Sequence, residues 1–247
     1  AGVSKFNRPR VVICLPSAIT EVERRAVIEA ARRAGAAEAQ LIEQPMAAAL
    51  GAYLPVNEPI ANMVVDVGGG TSETALISLG GVVALEAVRV GSFDLDAAIQ
   101  QFIRREYGIA VGERTAEEIK VSIGSAWPVQ EDVKAEVRGR DLMSGLPKTV
   151  ILSPAEVREA ISEPVSAIVA SVISCLGAAP PELAHDLIER GMHLVGGGGM
   201  LKGLANRIAQ ESEVPVTLVD QPLEAVVMGA GRCIEAYDQL RVMFMGA

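Results

Sequence analysis

The sequence predicts an α/β fold in two blocks, and three observations support that prediction. Compact β-branched runs such as Val11 to Leu15 and Met63 to Val67 alternate with stretches that carry helix caps. Pro55 and Pro59 mark a linker between the blocks. Two strand ends, at Asp66 and Val195, run straight into glycine clusters. With 247 residues, 50% of them apolar and 21% charged, the chain has ordinary globular composition and length enough for a real core.

The elements follow in order. Val11 to Leu15 reads as a strand, and Thr20 with Glu23 forms a capping box for a helix that ends near Gly35. Val22, Ala26, Val27 and Ala30 supply the apolar stripe expected to bury that helix. Ala39 to Ile42 is a short strand, and Pro45 opens an alanine-rich helix, Met46 to Ala52, suited to close packing between two bodies. Met63 to Val67, Glu73 to Leu79 and Val82 to Val90, separated by glycine turns, predict an antiparallel meander. A helix from about Asp94 to Tyr107 follows, then one to Ile123 capped by Thr115 and Glu118. Val133 to Arg140 and Thr149 to Leu152 form a hairpin. Ser153, Pro154 and Glu156 open one long helix. Met192 to Val195 leads through Gly196 to Gly199 into a helix from Leu201 to Glu211, Val216 to Val219 adds a strand, and Met228 to Leu240 closes as a final helix.

Composition excludes several functions. Lys plus Arg number 22 against 31 Asp plus Glu, and the net charge of -9 argues against nucleic acid as a partner. Three cysteines, Cys14, Cys175 and Cys233, are too few and too scattered for a disulfide framework or a zinc site, and they suit a reducing cytosol. His185 and His193 have no acidic or Cys companions at ligand spacing. The longest stretch free of charge, Pro164 to Pro181, is closed by prolines and broken by Gly177, so it reads as a buried helix and not a membrane span. The first residue is Ala1 and not Met, which is the expectation for a piece of a longer chain.

Four motifs have chemistry in them. Asp66-Val67-Gly68-Gly69-Gly70-Thr71 ends a strand in an acid and turns back through glycines, whose amides can converge on an anion while Asp66 holds a hydrated Mg²⁺ and Thr71 offers a hydroxyl. A tight turn would use the same residues. Gly196 to Gly199 offers amides at a strand end, or simply close packing. Glu117 and Lys120, at i,i+3 spacing, share a helix face and can clasp a ribose or form a surface ion pair. Glu43-Gln44-Pro45 can orient a water or merely cap a helix.

In their order and spacing these motifs resemble one family, the MreB proteins, bacterial actin-like cytoskeletal proteins of the superfamily that also holds actin, sugar kinases and DnaK-type chaperones. The resemblance covers nearly the whole chain. Its specific stretches include Pro16-Ser-Ala-Ile-Thr-Glu-Val-Glu-Arg-Arg-Ala-Val, Gln44-Pro-Met-Ala-Ala-Ala, Met63-Val-Val-Asp-Val-Gly-Gly-Gly-Thr, Gly112-Glu-Arg-Thr-Ala-Glu-Glu-Ile-Lys, Glu136-Val-Arg-Gly-Arg-Asp-Leu, Pro180-Pro-Glu-Leu-Ala and Leu194-Val-Gly-Gly-Gly. It implies an actin-like ATPase (ribonuclease H-like) fold of two lobes, each a mixed sheet with flanking helices, plus a small α+β accessory subdomain. Residues 1–58 would be the remainder of the first lobe (subdomain IA) with the interdomain helix, and 59–110 with 153–228 the second lobe (IIA). Residues 111–152 would form the accessory subdomain (IIB), and 229–247 a C-terminal helix returning to the first lobe.

The resemblance further implies ATP and Mg²⁺ in a cleft between the lobes. Asp66, Gly68, Gly69, Gly70 and Thr71 would be the second phosphate loop, with Asp66 holding Mg²⁺ through water. Glu117 and Lys120 would lie on the ribose side, and Gly196, Gly197, Gly198 and Gly199 would line the adenosine. Gln44 falls where MreB proteins usually carry the glutamate that positions the attacking water, which Thr71 would help to polarise. ATP binding and slow hydrolysis would tune homopolymeric filaments in the cytoplasm, peripheral to the inner face of the cell membrane. There they would work with membrane proteins of the wall-elongation machinery to organise peptidoglycan synthesis and rod shape.

Three departures from the family pattern bear on this expectation. The first phosphate loop of the family, a stretch of the Asp-Leu-Gly-Thr-Ala-Asn kind, does not precede Ala1, so sheet edge and apolar surface should be exposed. Gln44 is a neutral amide, as in actin, which orients water but accepts its proton less effectively than a carboxylate. Gly91-Ser92-Phe93 stands where relatives often show Gly-Gly-Asp, and a side chain at Ser92 would crowd the nucleotide. These departures keep two alternatives open, a non-catalytic scaffold that lost ATP turnover and a DnaK-like nucleotide switch.

Overall fold

The computed structural model describes residues 8–128 and 133–245. The ends of the expected first and last segments, 1–7 and 246–247, and residues 129–132 of the accessory segment lie outside the described residues.

Two parallel strands, β1 (Arg10–Leu15) and β2 (Glu38–Glu43), flank helix α1 (Glu21–Arg33), and Leu15 pairs with Glu43 at their shared end. The Thr20/Glu23 capping box forms as expected. The expected stripe does not. No residue of α1 is buried, and Val22 is 77% exposed. Arg24, Val27, Ile28 and Ala31 form the half-buried line instead. Arg24 is half-buried on this line, with its charge close enough to Glu43 to act on that carboxyl.

Helix α2 (Gln44–Gly51) follows β2 without a loop, and it buries every residue from Pro45 to Gly51. Its partner is α9 (Ala225–Glu235), which also packs on β1. A Cβ placed on Gly51 would lie 1.8 Å from the Ala225 carbonyl oxygen, and one on Gly229 would lie 1.8 Å from that of Ala47. Only glycine permits this backbone approach. After α9 the chain breaks at Ala236, where the single closing helix of the sequence reading becomes α9 and a separate α10 (Tyr237–Leu240). The Tyr237 hydroxyl donates to Glu38, which draws the last turn onto β2.

The second block is a five-stranded mixed sheet of order β10-β9-β3-β4-β5, formed by β3 (Asn62–Val67), β4 (Ser72–Ser78), β5 (Gly81–Val88), β9 (Met192–Val195) and β10 (Val216–Leu218). The meander β3-β4-β5 is antiparallel, while β9 and β10 run parallel to β3. Period-two alternation divides its faces. Met63, Val65, Val67, Leu76 and Leu194 pack on α3 (Ser92–Tyr107) and α6 (Ser162–Gly177), while Val64, Ala75, Ile77 and Val195 pack on α2 and α9.

A three-stranded antiparallel sheet of β6 (Ile109–Ala110), β7 (Ala135–Asp141) and β8 (Pro147–Leu152) adjoins α4 (Glu113–Ile123), and its Ile109, Val137, Val150 and Leu152 join the core of the larger sheet. Helix α4 starts two residues before the expected cap. Gly112 is its N-cap, Thr115 lies within the first turn, and Glu118 accepts from Arg114 one turn back.

The expected long helix after Ser153 is two, α5 (Pro154–Ala160) and α6, bent by 60°. Pro164 has no N–H for the Ala160 carbonyl, so the ladder stops there. Among the described residues no single helix is long and apolar enough to cross a membrane. Helix α7 (Pro181–Arg190) precedes β9. Helix α8 (Leu204–Ser212) begins later than expected, because residues before it are drawn aside: Lys202 pairs with Ser125, and its carbonyl accepts from the Ala126 N–H at 2.8 Å.

Candidate functional site

The face of the five-stranded sheet that meets α2 is apolar through Val64 and Ala75 and turns acidic at its end. Asp66 and Glu73 are register partners across β3 and β4, and alternation puts both side chains on that face. Asp66 is 5% exposed and Glu73 3%. Burial pushes the Asp66 carboxyl up to about 6. Burial also raises Glu73; its hydrogen bonds from Ser17 oppose this, and the charges of Asp66 and Glu43 add to it. Burial raises Glu43, half-buried at the end of β2, against the pull of Arg24.

Beyond Asp66 the chain turns through Gly68, Gly69 and Gly70, and the Gly68 N–H closes the turn on the Thr71 carbonyl at 2.9 Å. Gly68 is thereby committed to the turn, leaving the Gly69 and Gly70 amides as the donors of an anion-binding nest. The second glycine run lies directly against this hairpin. Gly196 adopts φ +83, and a Cβ there would meet the Val67 carbonyl at 2.3 Å and Asp66 Oδ1 at 2.5 Å, so this junction accepts only glycine. Gly198 to Met200 form a short 3₁₀ turn, so the N-terminus of α8 does not open at the glycine run as the sequence suggested.

A cavity of about 490 Å³ lies where these segments meet, of a size suited to a small-molecule ligand. It brings together Gly69, Glu117, Lys120, Gly197 and Gly198 from the sequence-predicted set, with Ser92, Leu95 and Lys202. Gly199 is turned into the core against Leu194. Asp66, Gly68, Gly70 and Thr71 stand in the adjoining hairpin, Gly196 seals that hairpin, and Gln44 is the half-buried first residue of α2, outside the lining of the cavity.

One predicted detail changes. Lys120 does not pair with Glu117. Its Nζ donates to Ser92 Oγ at 2.6 Å, to the Ser92 carbonyl at 3.2 Å and to the Asp96 carboxylate at 2.9 Å. An ammonium has three N–H donors, so these contacts account for all of them and leave exposed Glu117 as the acceptor on that wall. Ser92 lines the cavity with its hydroxyl engaged by Lys120, and the Phe93 ring roofs Gly69. Sequence reasoning missed Asp96, Ser17 and Glu73. Asp96 was legible as an acid one helical turn after Ser92, and Glu73 as the residue opposite Asp66 across a four-residue turn.

The residues suit a hydrated cation at Asp66. The carboxylate is buried, among the described residues nothing cationic offsets its burial, and such a group is costly unless a cation joins it. Among the described residues no three His, Cys, Asp or Glu groups converge as direct ligands.

The MreB/Mbl protein family model matches residues 1–242. The cell shape-determining protein MreB of Escherichia coli (strain K12) is 50% identical over 230 residues, which cover 93% of this chain and 66% of that relative's length. The structure of MreB5 of Spiroplasma citri bound to AMPPNP superimposes with a TM-score of 0.89 at 33% identity, covering 93% of this chain and 69% of that one. A MamK double helical filament subunit shares the fold alone, at TM-score 0.79 and 18% identity, covering 95% of this chain and 71% of its own.

Proposed function

Because the chain belongs to the MreB/Mbl family, we propose that it binds Mg-ATP between its two blocks and assembles with itself into filaments that organise cell-wall synthesis and rod shape at the inner face of the cell membrane. The observation that carries this reading is the cavity on which both glycine loops and the Glu117 wall converge, beside the buried Asp66. When bound, Mg²⁺ supplies charge neutralisation for the phosphates. The protein's own residues do the rest. The Gly69 and Gly70 amides donate to phosphate oxygens, Glu117 accepts from ribose hydroxyls, and Gly197 and Gly198 let the base lie close to the backbone. Gln44 orients the water that attacks, and the Thr71 hydroxyl polarises it. The MreB5 relative is itself bound to AMPPNP, which supports a nucleotide in this chain.

Calorimetry with Mg-ATP tests the assignment. Asp66→Ala should abolish or greatly weaken binding, whereas Glu21→Ala, on the exposed side of α1, should leave it unchanged; equal effects would sink it. Pelleting with and without ATP tests assembly, and co-sedimentation with anionic vesicles tests membrane association. The amide at Gln44 favours a second reading, a scaffold without turnover, for which filaments would form equally with and without nucleotide.

A further inference from the structure

The loop after β1 makes one polar connection to the larger sheet that the proposed chemistry does not use. The Ser17 N–H donates to both Glu73 carboxylate oxygens, at 3.0 and 3.3 Å, and Ser17 Oγ donates to one of them at 3.2 Å. Ser17 stands two residues beyond Leu15, which pairs with Glu43, the residue before Gln44. Glu73 stands opposite Asp66 in the hairpin that turns through Thr71. The bond therefore joins the end of the strand pair that presents Gln44 to the hairpin that presents Asp66 and Thr71. Glu73 is almost fully buried, where a carboxylate is retained only if hydrogen-bonded, and the Ser17 contacts are directional enough to fix a distance.

We propose that Glu73 is a positioning residue for nucleotide turnover, holding Ser17 so that Gln44 keeps its place across from Asp66 and Thr71. The assignment rests on the ATP reading above. A water-orienting group displaced by about 1 Å costs on the order of a hundredfold in rate, while nucleotide contacts made elsewhere persist. Glu73 thus acts on the rate of the chemical step and not on affinity.

The test compares single-turnover phosphate release and calorimetric Mg-ATP affinity in the full chain, at equal extent of filament pelleting, for Glu73→Ala, Glu73→Gln, Ser17→Ala and the Ser17→Ala/Glu73→Ala pair. Glu73→Ala should lower the rate by about tenfold or more with affinity changed less than about twofold. Glu73→Gln, whose amide oxygen still accepts from the Ser17 N–H, should restore most of the rate. Ser17→Ala should lower it less, and the pair should be no slower than Glu73→Ala alone. If Glu73→Ala fails to fold by circular dichroism, Glu73→Gln and Ser17→Ala decide. Parallel losses of rate and affinity, additive effects, or Glu73→Gln as slow as Glu73→Ala would each overturn the assignment while leaving the ATP reading intact. Absence of turnover in an unchanged chain that still binds Mg-ATP would overturn the assignment alone, and absence of Mg-ATP binding would overturn the ATP reading with it.

Discussion

Helices α1 and α5 start with the same device. Thr20 with Glu23 and Ser153 with Glu156 each form a complete capping box. From there the two regions diverge. Helix α1 buries none of its 13 residues, whereas α5 and α6 bury Val157, Val165, Ile168, Val169 and Val172 in the main core. The caps decide where a helix begins, because they satisfy its first free amides. They do not decide how deeply it packs. That is set by which surfaces meet: among the described residues α1 borders the β1-β2 pair through a half-buried line, whereas α6 packs on β4 and β5 of the five-stranded sheet.

The largest effect that would break this contrast lies where the two regions join. A side chain at Gly51 must enter the Ala225 backbone, so Gly51→Val should cost more than about 4 kcal/mol and leave a chain without a cooperative thermal transition. Next comes the deep core: Ile168→Ala should lose about 2–5 kcal/mol by denaturant unfolding.

Asp66 sharpens the contrast from the side of function. Its carboxyl is raised by burial from 3.8 to about 6. The folded state therefore holds a proton that the unfolded state releases, and stability falls as pH rises from about 4 through about 6. Above that window the ionised group costs on the order of 3 kcal/mol. Asp66→Asn should raise the melting temperature at neutral pH, flatten this dependence and still weaken Mg-ATP binding. A lowered melting temperature would show that Asp66 serves the fold and not the site.

The smallest effects belong to α1. Thr20→Ala should cost about 1 kcal/mol through the lost cap. Val22→Ser should stay within about 0.5 kcal/mol, since the side chain is exposed. A Val22 loss equal to that of Ile168 would mean that α1 packs against something further in the working protein.

Most strands were legible because β-branched runs ended by glycine leave few alternatives, and the glycine hairpin from Asp66 to Glu73 was legible for the same reason. The helices were read less well. Helix α4 started early because Gly112, without a side-chain cap, suffices when the turn is anchored by its neighbours. Helix α8 started late because Lys202 was taken up by pairing with Ser125, a contact 77 residues distant in sequence. Lys120 lines the same cavity as Glu117, and its partner Asp96 lies on another helix.

Local order along the chain settled the α/β pattern, both glycine turns, the capping boxes of α1 and α5 and the family resemblance, since each depends on residues within a few positions of one another. Three features were decided only by tertiary packing: the exposed α1, the engagement of Lys120 by Ser92 and Asp96, and the meeting of Ser17 with Glu73 across 56 positions. Burial and partner choice depend on which surfaces meet after the sheet has formed. A one-dimensional pattern fixes the faces a segment can offer, and the area and charge that cover each face are supplied by segments far away in the chain.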